Sequence, residues 1–207
     1  MDDLNNDGRR DNSDKSFDTS VLLKNAAKQR DERGYDDFLI IDVDSHHYET
    51  EAFSEIAQYI TDPVLRDEAK FQGAGHGGIT SELGSYQSMM GRVTRYPNRK
   101  KEKTPPTPHR DITLMRRWMD AMGVDVACMF PTPMLNLASC QRIEVQVGLA
   151  KAYNEWLCDR ILSQDARLKS MLYLPLHDPD ACYDIVKQFG HRKGVIGFMI
   201  TAPHYAS

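Results

Sequence analysis

Apolar positions along the chain follow two rhythms. Phe38 to Val43, Val124 to Phe130, Lys169 to Leu176 and Gly194 to Thr201 are short runs of nearly contiguous apolar residues. This pattern predicts strands of a parallel sheet covered on both faces. Between the runs, apolar residues recur at helical spacing. Ala52 to Ile60 is one such segment. Asp62-Pro63 interrupts it, and Val64 to Lys70 restarts it. Ile112, Met115, Met119 and Met122 share one helical face, which Gly123 ends as a C-cap glycine would. A methionine stripe of this kind reads as core packing. Residues 142–163 predict a long helix with Ile143, Val147, Ala150, Leu157 and Ile161 along one side. His177-Asp178-Pro179 opens a last helix, from Asp180 to Phe189, and Gly190 closes it.

The order is strand, long insertion, helix, strand, helix, strand, helix, strand. Such alternation implies right-handed crossovers and a parallel α/β sheet. The pattern alone fits either an open doubly wound sheet or the front half of a (β/α)8 barrel. Residues 1–36 are polar, with few large apolar residues, and read as a disordered extension in which Val21 to Lys28 has the makings of a short helix. Residues 37–207 form the folded domain. Residues 72–110 are glycine-rich, then basic, then proline-rich, and read as a long loop. Gly73 to Gly78 spells GxGxxG, but no strand precedes it and no helix follows at once, so the phosphate-cradling context is missing. The basic cluster from Arg92 to Lys103 reads as a solvated loop.

Composition narrows the class. The 207 residues are 41% hydrophobic and 27% charged, with a formal charge of −4. That is the profile of a soluble globular protein, without the basic face of a nucleic-acid binder. No apolar run is long enough for a membrane span, and no signal-peptide core follows the polar N-terminus. Cys128, Cys140, Cys158 and Cys182 lack the spacing of a metal knuckle and read as reduced thiols of a cytoplasmic protein.

In both architectures ligands bind at the C-terminal ends of the strands. The first strand brings Asp44, His46, His47 and Glu49 to that end, the second Thr132, the third His177 and Asp178, the fourth Thr201 and His204. Asp44 and His46 are two apart, so in an extended chain their side chains point the same way. A carboxylate and an imidazole converging on one point suit Zn²⁺, and also Mn²⁺ or Fe²⁺. His47 points the opposite way, toward the helix layer. Each candidate also has a plain structural reading: a turn and helix cap for Asp44 and His46, a helix start for His177, a mobile end for His204.

The run Ile41-Asp42-Val43-Asp44-Ser45-His46-His47-Tyr48-Glu49 resembles the first strand of the amidohydrolase-related family. That family includes aminocarboxymuconate-semialdehyde decarboxylase, γ-resorcylate decarboxylase and related hydrolases and hydratases. Leu114 to Asp125 resembles the helix leading into its second strand, and Phe130-Pro131-Thr132 the end of that strand. Tyr153-Asn154-Glu155-Trp156-Leu157 with Asp165-Ala166-Arg167-Leu168 resembles its passage into strand three. The resemblance covers roughly residues 37–202. It implies the first half of a (β/α)8 barrel with a long insertion after strand one, and a single divalent metal, zinc or alternatively manganese or iron. Asp44 and His46 would be two of its ligands. Many members carry His or Glu where this chain has Asp44. The implied chemistry is decarboxylation or hydrolysis of an unsaturated or aromatic carboxylate, with Glu49, Thr132, His177 and His204 as substrate-binding candidates. The family's remaining ligands, a His on strand five and an Asp on strand eight, have no counterpart in four strands. A weakly active or inactive N-terminal half is therefore expected. The alternative is a non-catalytic module whose open sheet needs a second copy or a partner to cover it.

Overall fold

A computed structural model describes residues 19–47, 49–73, 106–140 and 142–201. In chain order the main elements are α1 (Thr19–Glu32), β1 (Ile41–His46), α2 (Phe53–Ile56), α3 (Pro63–Gly73), α4 (Arg110–Met122), β2 (Val126–Phe130), α5 (Ile143–Trp156), β3 (Leu168–Tyr173), α6 (Pro179–Phe189) and β4 (Val195–Met199). The glycine-rich motif beyond Gly73, the basic cluster, His76 and His204 lie outside the described residues. The described residues divide into two compact units, one of residues 19–40 with 106–125, the other of residues 41–73 with 126–201.

The first unit pairs α1 with α4. Residues 19–32 are helical, so the expectation of a disordered extension over 1–36 fails for this part, and residues 1–18 lie outside the described residues. The reason is long-range pairing that composition does not register. The Arg30 guanidinium donates to the carbonyl of Asp120 and also pairs with the neighbouring Asp31. Gly123 ends α4 in the left-handed region at φ 73°, where a Cβ would lie 2.9 Å from Arg30 Cγ. The Asp125 carboxylate accepts from the Ile40 N–H at 2.8 Å, and the Asp125 N–H donates to the Ile40 carbonyl at 2.9 Å. His109 caps the other end of α4, its Nδ1 accepting from the Asp111 N–H at 3.2 Å. Ile112, Met115 and Met119 are buried as their spacing predicts, together with Leu114, while Met122 is exposed.

The second unit is a four-stranded, wholly parallel sheet in the order β1-β2-β3-β4, with helices between the strands. This is the α/β architecture that the alternation of patterns predicts. Asp62 caps α3, its carboxylate accepting from the N–H groups of Val64 and Leu65, with Pro63 at the first helical position. The Asp178 carboxylate likewise accepts from the Ala181 N–H and caps α6. α5 packs on α2, α3, α6 and β3, and therefore buries residues over a wide arc: Val145, Leu149, Ala150, Tyr153, Asn154 and Trp156. Ile143 is exposed, against its expected place on the buried face. A π-helical turn, Leu157–Leu162, continues α5 and buries Leu157, Cys158, Ile161 and Leu162.

The central strands are well covered, and Ala127, Cys128, Met129, Leu168 and Leu172 are all buried. β1 departs from expectation. It lies at the edge of the sheet, with Ile41 51% and Val43 71% exposed, so it is not covered on both faces among the described residues. Its pairing with β2 also shifts register between Asp42 and Ser45. No helix among the described residues is long and apolar enough to cross a membrane.

Candidate metal centre at the end of the first strand

The polar end of β1 is shaped from within the strand. Asp42 Oδ1 accepts from the Asp44 N–H at 2.9 Å, and Asp42 Oδ2 accepts from the Ser45 hydroxyl. These bonds satisfy backbone and hydroxyl groups where the register shifts. They leave Asp44 outward, its side chain 80% exposed. His46 follows on the same side, and its Nε2 stands 3.1 Å from Asp44 Oδ1. The convergence that the two-residue spacing implies is present.

The other ring nitrogen defines the chemistry. His46 Nδ1 lies 3.2 Å from the Pro131 carbonyl oxygen and 3.3 Å from Thr132 Oγ1. The hydroxyl contact fits either tautomer, whereas the carbonyl contact calls for a proton on Nδ1. In the neutral ring Nε2 then holds a lone pair, facing a carboxylate oxygen at 3.1 Å. A nitrogen and a carboxylate oxygen at that separation share either a hydrogen or a cation. An imidazole whose far nitrogen is tied to a carbonyl is a common arrangement for a metal ligand. An exposed carboxylate and a half-buried imidazole so placed are two donors of the kind that suit a divalent cation. Among the described residues no group of three or more His, Cys, Asp or Glu is arranged to hold a metal ion. His177 thus does not join Asp44 and His46 as a third donor.

The remaining candidates fall in different places. Glu49 is fully buried, its two oxygens accepting from the N–H groups of Thr132, at 2.9 Å, and Met134. Desolvation pushes its carboxyl above the ordinary range, against the opposing pull of His47 and these two N–H groups. Thr132 is also buried, its hydroxyl beside the His46 ring. Thr132 touches the His46 ring directly, while Glu49 holds the backbone N–H groups of Thr132 and Met134. His47 turns the other way, as alternation requires. Its Nε2 lies 2.7 Å from the Tyr153 hydroxyl, and its ring stacks on Trp156 at 6.0 Å between centroids. His177, beyond β3, places Nδ1 3.0 Å from Gln146 Oε1. The Gln146 amide nitrogen is committed to the carbonyls of Ala138 and Cys140, so the oxygen must accept and His177 Nδ1 donates. Thr201, at the end of β4, meets the Tyr173 hydroxyl at 3.0 Å.

Two supporting residues escape sequence reasoning. Gln146 is an ordinary polar residue of a helix, and nothing local marks it as the anchor of His177. Asn154 spans the unit from α5 to the end of β3. Its amide donates to the Tyr173 carbonyl and accepts from the Tyr173 N–H, each at 2.9 Å. Asn154 stands in the run Tyr153-Asn154-Glu155-Trp156-Leu157, but its clamp on Tyr173 acquires meaning only in the fold.

Comparison with protein-family models and with curated proteins finds no match to this chain.

Proposed function

We propose that this chain carries the strand-one part of a metal-dependent carbon–carbon lyase or hydrolase site resembling that of the amidohydrolase-related family. Its four parallel strands would be the first half of a (β/α)8 barrel. Asp44 and His46 bind one divalent ion, zinc, with manganese or iron as alternatives. The observation that carries this reading is the 3.1 Å approach of His46 Nε2 to Asp44 Oδ1, with Nδ1 held on the Pro131 carbonyl. When bound, the ion supplies Lewis-acid chemistry, orienting an anionic substrate or making a water more acidic. The substrate class is an unsaturated or aromatic carboxylate, and the reaction is loss of carbon dioxide or hydrolysis.

This chain's own residues have simpler tasks. Asp44 contributes charge and an exposed oxygen, and His46 a fixed nitrogen. The Pro131 carbonyl and the Thr132 hydroxyl hold the ring. Catalytic zinc sites commonly use three protein ligands. Two donors alone bind weakly, so the isolated chain is expected to show little or no turnover.

Zinc binding measured by competition with a chromogenic chelator tests the assignment. Wild type takes up one equivalent, while Asp44→Ala and His46→Ala each weaken binding and the double variant abolishes it. Unchanged metal content in the folded double variant overturns the site.

A second reading is supported by the exposed apolar residues on β1 and β4. In it the chain is a non-catalytic module that uses its open sheet edges to bind a partner or a second copy.

A further inference from the structure

We infer that Glu49 is a positioning residue for His46, acting through the turn that follows β2. The inference rests on the reading of His46 as a functional donor, and it adds to that reading the group that sets which ring nitrogen faces outward.

The argument runs through three connected groups. The N–H groups of Thr132 and Met134 lie at the start of a 3-10 helix, Pro133–Ser139. N–H groups at such a start lack partners in the helix itself. Two donors two residues apart are satisfied by a single group that offers two acceptor oxygens and no hydrogen. Only a carboxylate does so. Glu49 supplies it from full burial, one oxygen to each N–H. Burying a carboxylate is costly unless its oxygens are hydrogen-bonded, so this placement demands both contacts.

The same turn faces His46. The Pro131 carbonyl and the Thr132 hydroxyl both approach Nδ1, at 3.2 and 3.3 Å. The His47 N–H, donating to the Phe130 carbonyl at 2.9 Å, carries the pairing of the two chain segments to the edge of this turn. Glu49 therefore sets the orientation of residues 131–134, and that orientation sets the tautomer of His46. A carbonyl held toward Nδ1 keeps the proton there and leaves Nε2 beside Asp44. If the turn rotates, Nδ1 loses its acceptor and Nε2–H becomes the favoured form, with its proton where a cation would bind.

Glu49→Gln is the sharpest probe. It preserves volume but replaces one acceptor by a donor that points at a backbone N–H. The ring tautomer of His46 is read from long-range proton–nitrogen correlation spectra, and zinc affinity from chelator competition, both on the 207-residue chain. The Nδ1–H form should dominate in wild type and give way to Nε2–H in the variant. Zinc affinity should fall by about 10- to 100-fold, the usual effect of removing a group that orients a metal ligand. Asn154→Ala is the control. It deletes an equally buried clamp on the backbone of Tyr173, so it should lower the melting temperature but leave the His46 tautomer and zinc affinity unchanged.

A wild-type tautomer and affinity in folded Glu49→Gln overturn the inference, and so does an equal tautomer shift in Asn154→Ala. If wild type binds no zinc, the metal reading fails, while the tautomer measurement still decides the role of Glu49. If Glu49→Gln does not fold, Glu49→Asp and the wild-type spectrum carry the test. A wild-type His46 ring protonated mainly at Nε2 overturns the inference outright.

Discussion

The Cys158 thiol lies in the π-helical turn after α5, among buried Leu157, Ile161 and Leu162. Burial pushes it up to about 11, more than nearby Arg192 pulls it down. At pH 8 its thiolate fraction is then on the order of one in a thousand, so a thiolate-specific reagent should spare it until the protein unfolds. The sign of the linkage follows from the raised value. The folded state holds the proton more tightly than the unfolded chain. The resulting stability is complete below about pH 9 and is lost as the pH rises toward 11. Urea unfolding of wild type across this interval should show declining stability, with a shallower decline in Cys158→Ser. Equal slopes would count against a buried neutral thiol. At this scale the convergence of Asp44 and His46 was legible, because it depends only on the two-residue period of an extended chain. The roles of Glu49 and Gln146 were not. Glu49 serves N–H groups 83 and 85 residues away, and no local pattern encodes such a pairing.

At the scale of elements, the ends of helices were the most readable features. Asp62, Asp178 and Gly123 act where capping chemistry places them. Gly123 allows a direct test. At φ 73° an L-residue is strained, by roughly 1 kcal/mol for alanine, and a Cβ would press on the flexible Arg30 side chain. Gly123→Ala should therefore destabilise the protein by about 1–2 kcal/mol in urea unfolding, with the far-ultraviolet spectrum of the native state unchanged. No measurable loss would mean that the turn relaxes out of the left-handed region. Other element properties were hidden by context. The contiguous apolar run of β1 reads as a buried strand, yet position in the sheet decides burial, and β1 is at the edge. The exposure of Ile143 has a similar origin, since three helices and β3 crowd α5 along the rest of its length. Helix α1 was legible only as the shorter stretch from Val21 to Lys28, its polar flanks giving no sign of its full length. Its order rests on contacts of Arg30 with residues about 90 positions further on.

For the sheet as a whole, the two edges dominate the expected behaviour in solution. β1 exposes Ile41 and Val43, and β4 exposes Ile196, at 58%, with Ile200 just beyond it, at 61%. Among the described residues neither edge strand has a second neighbouring strand. Parallel order β1-β2-β3-β4 makes the two edges different. The arrangement that continues the sheet joins β4 of one copy to β1 of the next, a contact that closes into a ring only if the rotation between copies permits it. Burying these half-exposed side chains, with new strand hydrogen bonds, favours association against the lost freedom of the two copies. Sedimentation velocity should show a mass that rises with concentration. Lysine on either edge, as Val43→Lys or Ile196→Lys, should shift the distribution toward monomer, because each edge is half of the same contact. The paired outcome also separates the two functional readings. If Val43→Lys yields a monomer that still binds zinc through Asp44 and His46, the metal site is a property of β1 itself. If zinc binding disappears together with association in Ile196→Lys as well as in Val43→Lys, binding depends on the neighbouring copy. A wild-type chain that stays monomeric throughout, with a cooperative melt, would remove the case for a partner on these edges.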